Sequence, residues 1–477
     1  MTDRITRGRN NRKLQSLKTG GTRAARLFIF FRNRVNIVLH LFPLKLMKNK
    51  TSSFVVIFAI ILFVFVLSGI AQTMPKGADP ALWARALKLH KSSIIVDGHN
   101  DIVSPMTDDD YDLATPSVGK IHLTDGTPYH TDLNRFKASG ITGEFFSIYN
   151  GGDTWKAGRS MPRAIDMIDA TYRQAERHPQ QLMMCTTAAQ IREAKKLGKV
   201  CVLMGIEGGY AIENSLSALR EFYRLGVRYM TLTHNVTHDW ADAHHDTPKN
   251  NGLSDFGKEV VREMNRLGML VDISHVSTKV MNDVLDVSTA PIIASHSGAR
   301  ALNDHTRNVP DDVLRRVAKN GGVIMVNFYP AFLDARTNKE ENEMTAKLKP
   351  QEDALREKYK NDPAALNAAI AKLEAENPFY VCDYTRIVDH IDHIKQVAGI
   401  DHVGIGSDFD GVPYLPKGMN GMEDLALVTY EMLRRGYTDA EVRKVLGENF
   451  LRAFAQAEKV ANIKTRKISD GSLKRIK

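Results

Sequence analysis

Eight short runs of apolar, largely β-branched residues recur from about Trp83 onward, each followed by a helix-like stretch. They are Ser93–Val96, Glu144–Ile148, Val200–Ile206, Arg228–Thr233, Met269–Ser274, Pro291–Ser295, Val323–Phe328 and His402–Ser407. Several are apolar almost throughout, as parallel strands buried on both faces must be. Leu216–Leu225, Asp255–Leu267 and Asp311–Lys319 have amphipathic helical spacing. Asn308-Val309-Pro310-Asp311-Asp312 reads as a helix start, with Pro early and acids in the first turn. Eight β-then-α units predict an α/β fold, a (β/α)8 TIM barrel over residues 83–460. An open doubly wound sheet is the alternative, but no Gly-rich dinucleotide loop follows the first run.

One segment breaks the rhythm. Residues 334–378 are dense in Lys, Glu, Ala and Asn, and Gln351–Lys360 and Pro363–Glu376 read as charged helices. This is a charged helical insertion between strands 7 and 8. A solvated hairpin is the preferred reading, ahead of a lid over the barrel mouth or a subunit contact.

The formal net charge of +10 invites a nucleic-acid partner. Residues 1–50, however, hold 13 Lys and Arg against one acid, Asp3, so the rest of the chain is slightly acidic. Without a basic folded body, no nucleic-acid function is expected. Phe54–Ile70 is a continuous apolar run of 17 residues, at the lower limit for a spanning helix. Lys48 and Lys50 precede it, and Gly69 and Ala71 sit two apart ahead of Gln72, so residues 47–71 have the layout of a signal peptide starting at Met47. Residues 1–46 form a basic extension that need not be translated. The alternative to cleavage is an N-terminal membrane anchor through residues 54–70. Either way the body is expected to be exported, periplasmic or secreted. Residues 461–477 form a basic tail without a lipid-anchor signal. The three cysteines make no thiolate metal motif; whether Cys185 and Cys201 pair is left open, and at least one thiol is free or buried.

In such a barrel, function gathers at the C-terminal ends of the strands. The metal-binding residue types fall there. Strand 1 ends Asp97-Gly98-His99-Asn100-Asp101, and alternate residues of an extended segment point the same way, so His99 and Asp101 can bind one ion. Strand 3 ends at Glu207, strand 4 at His234, strand 5 at His275, strand 6 at His296 and strand 8 at Asp408. Any one of these is commonly structural. Six of eight strands ending in His, Asp or Glu require a compensating charge at the rim. Imidazole and carboxylate without thiolate suit Zn²⁺ and similar ions. His99, Asp101, Glu207, His275 and His296 suffice for two ions if Glu207 bridges them, and two ions about 3.5–4 Å apart activate water and polarise the attacked oxygen.

These segments resemble the membrane (renal) dipeptidase family, metallopeptidases of the amidohydrolase-like barrel superfamily, from about Ser92 to Ala457. The resemblance rests on Asp-Gly-His-Asn-Asp at 97–101, Gly-Ile-Glu-Gly-Gly at 205–209 and Tyr-Met-Thr-Leu-Thr-His-Asn at 229–235. It continues in Asp-Ile-Ser-His-Val-Ser at 272–277, Ser-His-Ser at 295–297, Arg-Asn-Val-Pro-Asp-Asp at 307–312 and Ser-Asp-Phe-Asp-Gly at 407–411. It implies a hydrolase of small dipeptide substrates with two Zn²⁺ per chain, His99 and Asp101 on one ion, His275 and His296 on the other, Glu207 between them. It assigns Asp408 to proton transfer at the catalytic centre and His234 to the oxyanion. Arg307 is assigned to the substrate's free carboxylate, which restricts cleavage to dipeptides. Phe332 stands where mammalian members place a second carboxylate-binding Tyr; Tyr329, three residues earlier, matches the general family pattern and joins the substrate-binding candidates. The resemblance also implies a homodimer. It leaves open the stereochemistry of the second residue, a D-residue included, and the 334–378 insertion is foreign to the mammalian pattern.

Another hydrolase of the superfamily (esterase, lactonase or deaminase) is the enzyme alternative, against which Arg307 argues, because substrates without a carboxylate give it nothing to bind. A non-catalytic metal-binding receptor is the other, against which the intact ligand set argues. His238, His244, His245 and Asp246 follow no ligand template and are expected to line the mouth or meet solvent. His122, His130 and His178 are expected at the surface, Asp410 as a loop-shaping residue, and Asp97 and Asp272 as partners that orient ligands.

Overall fold

The computed structural model describes residue 72 and residues 74–461. The apolar run 54–70, the start at Met47 and the tail after residue 461 lie outside the described residues. Among those residues nine parallel strands form one sheet: β1 Val96–Asn100, β2 Gly143–Tyr149, β3 Leu182–Met184, β4 Val200–Glu207, β5 Val227–Thr231, β6 Leu270–Asp272, β7 Ile293–Ser297, β8 Val323–Val326 and β9 Val403–Ile405. The order β2-β1-β9-β8-β7-β6-β5-β4, with β2 pairing β4, closes eight of them into the expected barrel. The join between chain ends is β1 with β9, Asp97 opposite Ile405.

All eight runs become barrel strands. The first is displaced: β1 begins at Val96 and carries the Asp97–Asn100 motif within it, because these polar residues are fully buried and paired on both edges. The sequence pattern missed β3. It runs along the first half of β4, from Leu182 opposite Val200, and gives way to β5 farther along. Cys185, just past β3, is disulfide-bonded to Cys201 of β4, and Cys382 is free and buried.

Inside the barrel, Val96, Phe145, Leu203, Tyr229 and Met325 pack with Phe450 and Phe454 of the helix Asn449–Val460. Outside, the opposite strand faces pack on the helices. The helix Asp311–Asn320 shows how the pattern works locally. Asp311 and Asp312 occupy its first turn, Val313, Leu314 and Val317 are its buried stripe, and Gly321 at φ 82° ends it in the left-handed region. Gly205 in β4 matters for the site: a Cβ there would lie 2.0 Å from the Tyr229 ring, so only glycine lets that ring cross the interior toward β1.

The insertion follows β8 and is more ordered than the charge pattern suggested. Its first helix, Ala335–Lys358, starts sixteen residues before the predicted one, because Asp334 caps it by accepting from Thr337 N–H at 2.9 Å. The second is Pro363–Glu376, as read from the sequence. Both are largely exposed, but side-chain contacts tie them back. Glu341 accepts from the Tyr329 hydroxyl, Glu340 accepts from Tyr380 N–H, and Asn367 donates to the carbonyl of Leu123. Among the described residues no helix is long and apolar enough to cross a membrane.

Candidate active site

The five residues named as ligands converge on the C-terminal rim of the barrel. His99 lies in β1 with Asp101 just beyond, Glu207 ends β4, His275 follows β6, His296 lies in β7, and Asp408 follows β9. Their ligand atoms form three overlapping groups within 4.8 Å: His99–Asp101–Glu207, Glu207–His275–His296 and His99–His296–Asp408. Glu207 belongs to two of them. Its Oε2 is 3.3 Å from His99 Nε2, and its Oε1 is 3.0 Å from His275 Nε2 and 3.4 Å from His296 Nε2. Asp101 Oδ2 lies 3.4 Å from His99 Nε2.

The outer partner of each imidazole decides which nitrogen is bare. A carbonyl only accepts, so the Tyr229 hydroxyl donates to Gly98 O (3.1 Å) and accepts from His99 Nδ1 (2.8 Å). Ser295 Oγ donates to Asp272 Oδ2 (2.6 Å) and therefore accepts from His296 Nδ1 (2.7 Å). Asn235 Oδ1 accepts from His275 Nδ1 at 3.1 Å. In the neutral rings every Nε2 thus carries a lone pair toward Glu207. His99 Nε2 is buried without a hydrogen-bond partner, and the Nε2 atoms of His275 and His296 are 2.9 Å apart. Lone pairs and carboxylates converging in this way repel unless a cation lies among them. The donor set fits metal ions. Burial lowers His275 and brings His296 down to about 4, which keeps both neutral. Burial also lowers the His99 pKa, but Tyr229, Glu207 and Asp101 outweigh it and raise it, so a proton would compete with any cation held at that nitrogen.

The backbone is shaped to the same end. His275 and Asp408 hold φ values of 63° and 67°, the left-handed region that side chains other than glycine seldom adopt. Asp272 Oδ1 accepts from Ser274 and Ser295 N–H (3.0 and 2.8 Å), holding the segments that carry His275 and His296. Asp97 Oδ1 accepts from Ser407 N–H at 2.7 Å, beside Asp408. Asn327 Nδ2 donates to Asp408 Oδ2 at 2.8 Å, leaving Oδ1 turned toward His99.

Above these groups opens a cavity of about 410 Å³ whose lining includes Glu207, His234, Arg307, Tyr329, Phe332 and Asp408. His234 packs edge-on against Tyr149, and burial holds its pKa below the ordinary histidine value. Arg307 is 2% exposed; one Nη donates to His296 O at 3.1 Å, and Nε has no partner. Burial brings its pKa down to about 10, so it stays cationic at neutral pH.

Three expectations need correction. His122 and His130 are not at the surface: each is 2% exposed, because the loop 109–132 folds back on Asp410, whose Oδ1 accepts from His130 N–H at 3.0 Å. His238 neither lines the mouth nor meets solvent. It is buried against Trp240 and Tyr210, with Nε2 2.8 Å from Leu232 O. His244 and His245 do line the cavity, Asp246 accepts from Thr237 N–H, and His178 is partly buried against Asp112. Sequence reasoning passed over Tyr229, Asn235 and Asn327, which position His99, His275 and Asp408. The first two lie inside a quoted motif, and Asn327 follows β8 but does not titrate. It also gave no sign that Glu144 is buried with neither carboxylate oxygen partnered, a setting that raises its pKa.

Residues 83–467 match the family model described as membrane dipeptidase, peptidase family M19. The chain belongs to this family. It is a metallo-dipeptidase. Solved structures agree. A probable dipeptidase, PvdM, from Pseudomonas aeruginosa is 26% identical with a TM-score of 0.65, covering 80% of this chain and 100% of its own. A metallopeptidase from Rhodobacter sphaeroides, liganded with a phosphinate mimic of the dipeptide L-Ala-D-Ala, is 26% identical with a TM-score of 0.59, covering 77% of this chain and 100% of its own. A dipeptidase described as a family M19 metallopeptidase gives 26% and 0.60 over 77% of this chain and 99% of its own. The dipeptidase fold and the convergent ligand atoms therefore occur together.

Proposed function

We propose that this dipeptidase is an exported enzyme that uses two Zn²⁺ per chain, one held by His99, Asp101 and Glu207 and the other by Glu207, His275 and His296. The observation that carries the reading is the inward lone pair on each of three imidazoles around one carboxylate. Held there, such ions would supply an acidified water and a polarised scissile carbonyl. The chain's own residues do the rest. Asp408, oriented by Asn327, takes a proton at Oδ1 and returns it to the leaving amine. His234 donates to the oxygen that becomes negative. Arg307, with an unpartnered Nε beside the cavity, pairs with the C-terminal carboxylate of a dipeptide, and a longer peptide carries that charge out of reach.

The mimic bound by the Rhodobacter enzyme supports including dipeptides with a D-residue second. Export is supported by the apolar run after Lys48 and Lys50 and by the Cys185–Cys201 disulfide, since such bonds persist in oxidising compartments. We extend the proposal to a homodimer, from the family resemblance. The test is metal analysis of dialysed active enzyme together with turnover of L,L and L,D dipeptides. Two zinc ions per chain and dipeptide cleavage are expected; ester turnover without dipeptide cleavage refutes the reading. N-terminal sequencing of native protein tests export through a cleaved leader, with a start at Gln72 expected and retention of residues 54–70 favouring the anchor.

A further inference from the structure

Tyr329 stands at the cavity edge with its ring edge-on to Phe332 at 4.8 Å, and Phe332 lies 5.3 Å from the Arg307 guanidinium. The Tyr329 hydroxyl donates to Oε1 of Glu341, which is carried there by the inserted helix Ala335–Lys358. Tyr414 packs against the Tyr329 ring at 5.5 Å, with its own hydroxyl buried beside the Tyr329–Glu341 pair.

A phenol has one hydrogen. While Glu341 takes it, the Tyr329 oxygen has only lone pairs left to offer a ligand. A substrate carboxylate also offers only lone pairs, so Tyr329 is not a second donor beside Arg307 and does not replace the tyrosine whose place Phe332 occupies. We propose that Glu341, acting through Tyr329, sets specificity for the C-terminal residue of the dipeptide, favouring side chains that donate a hydrogen bond, such as amides and ammonium groups, over those bearing a carboxylate. The inference rests on the dipeptidase reading with Arg307 at the C-terminal carboxylate. Glu341 is a positioning residue for this purpose.

Ala-Gln and Ala-Glu are nearly isosteric substrates that differ in this property. The zinc-loaded wild-type enzyme is expected to prefer Ala-Gln in kcat/KM, chiefly through KM. Glu341→Leu frees the hydroxyl and is expected to cut that preference about tenfold, the worth of one charge-assisted hydrogen bond. Glu341→Gln retains an acceptor for the Tyr329 hydrogen and is expected to keep the preference. In a Tyr329→Phe background Glu341→Leu is expected to change the ratio no further. An unchanged ratio in Glu341→Leu, a parallel loss on both substrates, or the same shift without the Tyr329 hydroxyl overturns the inference. If Glu341→Leu does not fold, Tyr329→Phe alone decides, since it too must abolish the preference. A wild-type enzyme that cleaves neither dipeptide refutes the dipeptidase reading instead.

Discussion

Tyr229→Phe isolates the tautomer argument on which the metal centre depends. The substitution keeps the ring and its packing on Phe145, 4.8 Å between centroids, and removes one fully buried oxygen. That oxygen bonds His99 Nδ1 at 2.8 Å and Gly98 O at 3.1 Å, and no solvent reaches either group. Each buried group left unpaired costs about 1–3 kcal/mol, so the metal-free protein is expected to unfold at lower temperature. The second effect falls on the metal. With Nδ1 unheld, His99 loses both its fixed orientation and its preference for a bare Nε2, and removing such a partner lowers affinity by about tenfold to a hundredfold. Zinc affinity measured by competition with a chromophoric chelator, beside thermal unfolding of the metal-free protein, separates the two effects. A folded Tyr229→Phe protein that binds zinc as tightly as wild type would refute the reasoning, whatever happens to its unfolding temperature.

Asp408→Asn is expected to retain metal by elemental analysis while kcat falls about 10²-fold or more, as loss of a proton-transfer group requires; wild-type turnover removes Asp408 from the chemistry. Arg307→Ala is expected to reduce hydrolysis of a dipeptide about tenfold to a hundredfold more than that of its C-terminal amide, the range of a charge-assisted bond, and equal losses on the two substrates count against a carboxylate clamp. His122 gives a pH prediction. Burial lowers its pKa, but Asp125 and Asp410, each 3.4 Å away, outweigh burial and raise it from 6.5 to about 9. The stability it contributes, up to about 3 kcal/mol, is fully present below pH 6.5 and is lost as pH rises through about 9. Melting temperatures across that window are expected to fall for wild type and to stay flatter for His122→Gln; parallel curves exclude the charged pairing.

Much of this molecule was legible in its sequence, for a physical reason. A parallel strand buried on both faces cannot hide its apolar run, and a rim of ionisable groups at the ends of such runs stands out against it. His99, Glu207, His275, His296 and Asp408 were visible in that way. What escaped depended on the third dimension. Leu182–Met184 is too short to show a period, and it becomes a strand only because half an edge of β4 is open to it. Tyr229 reads as one more apolar strand residue, since nothing local shows that Gly205 clears a path for its ring. His122, His130 and His238 sit in polar loops whose composition suggests solvent, and their burial follows from how those loops fold back. Glu341 lies in a helix whose charge pattern is that of an exposed face, and only the tertiary contact with Tyr329 singles it out.

The barrel is joined by β1 against β9, with Asp97 opposite Ile405 and Asp408 N–H donating to His99 O. The earliest of the proposed ligands in the chain, His99, is thereby held in place by residues near its end. Although the last proposed ligand is His296, the strand that seats His99 is locked on both edges only once β9 has been made, so the rim takes its final shape when the barrel closes.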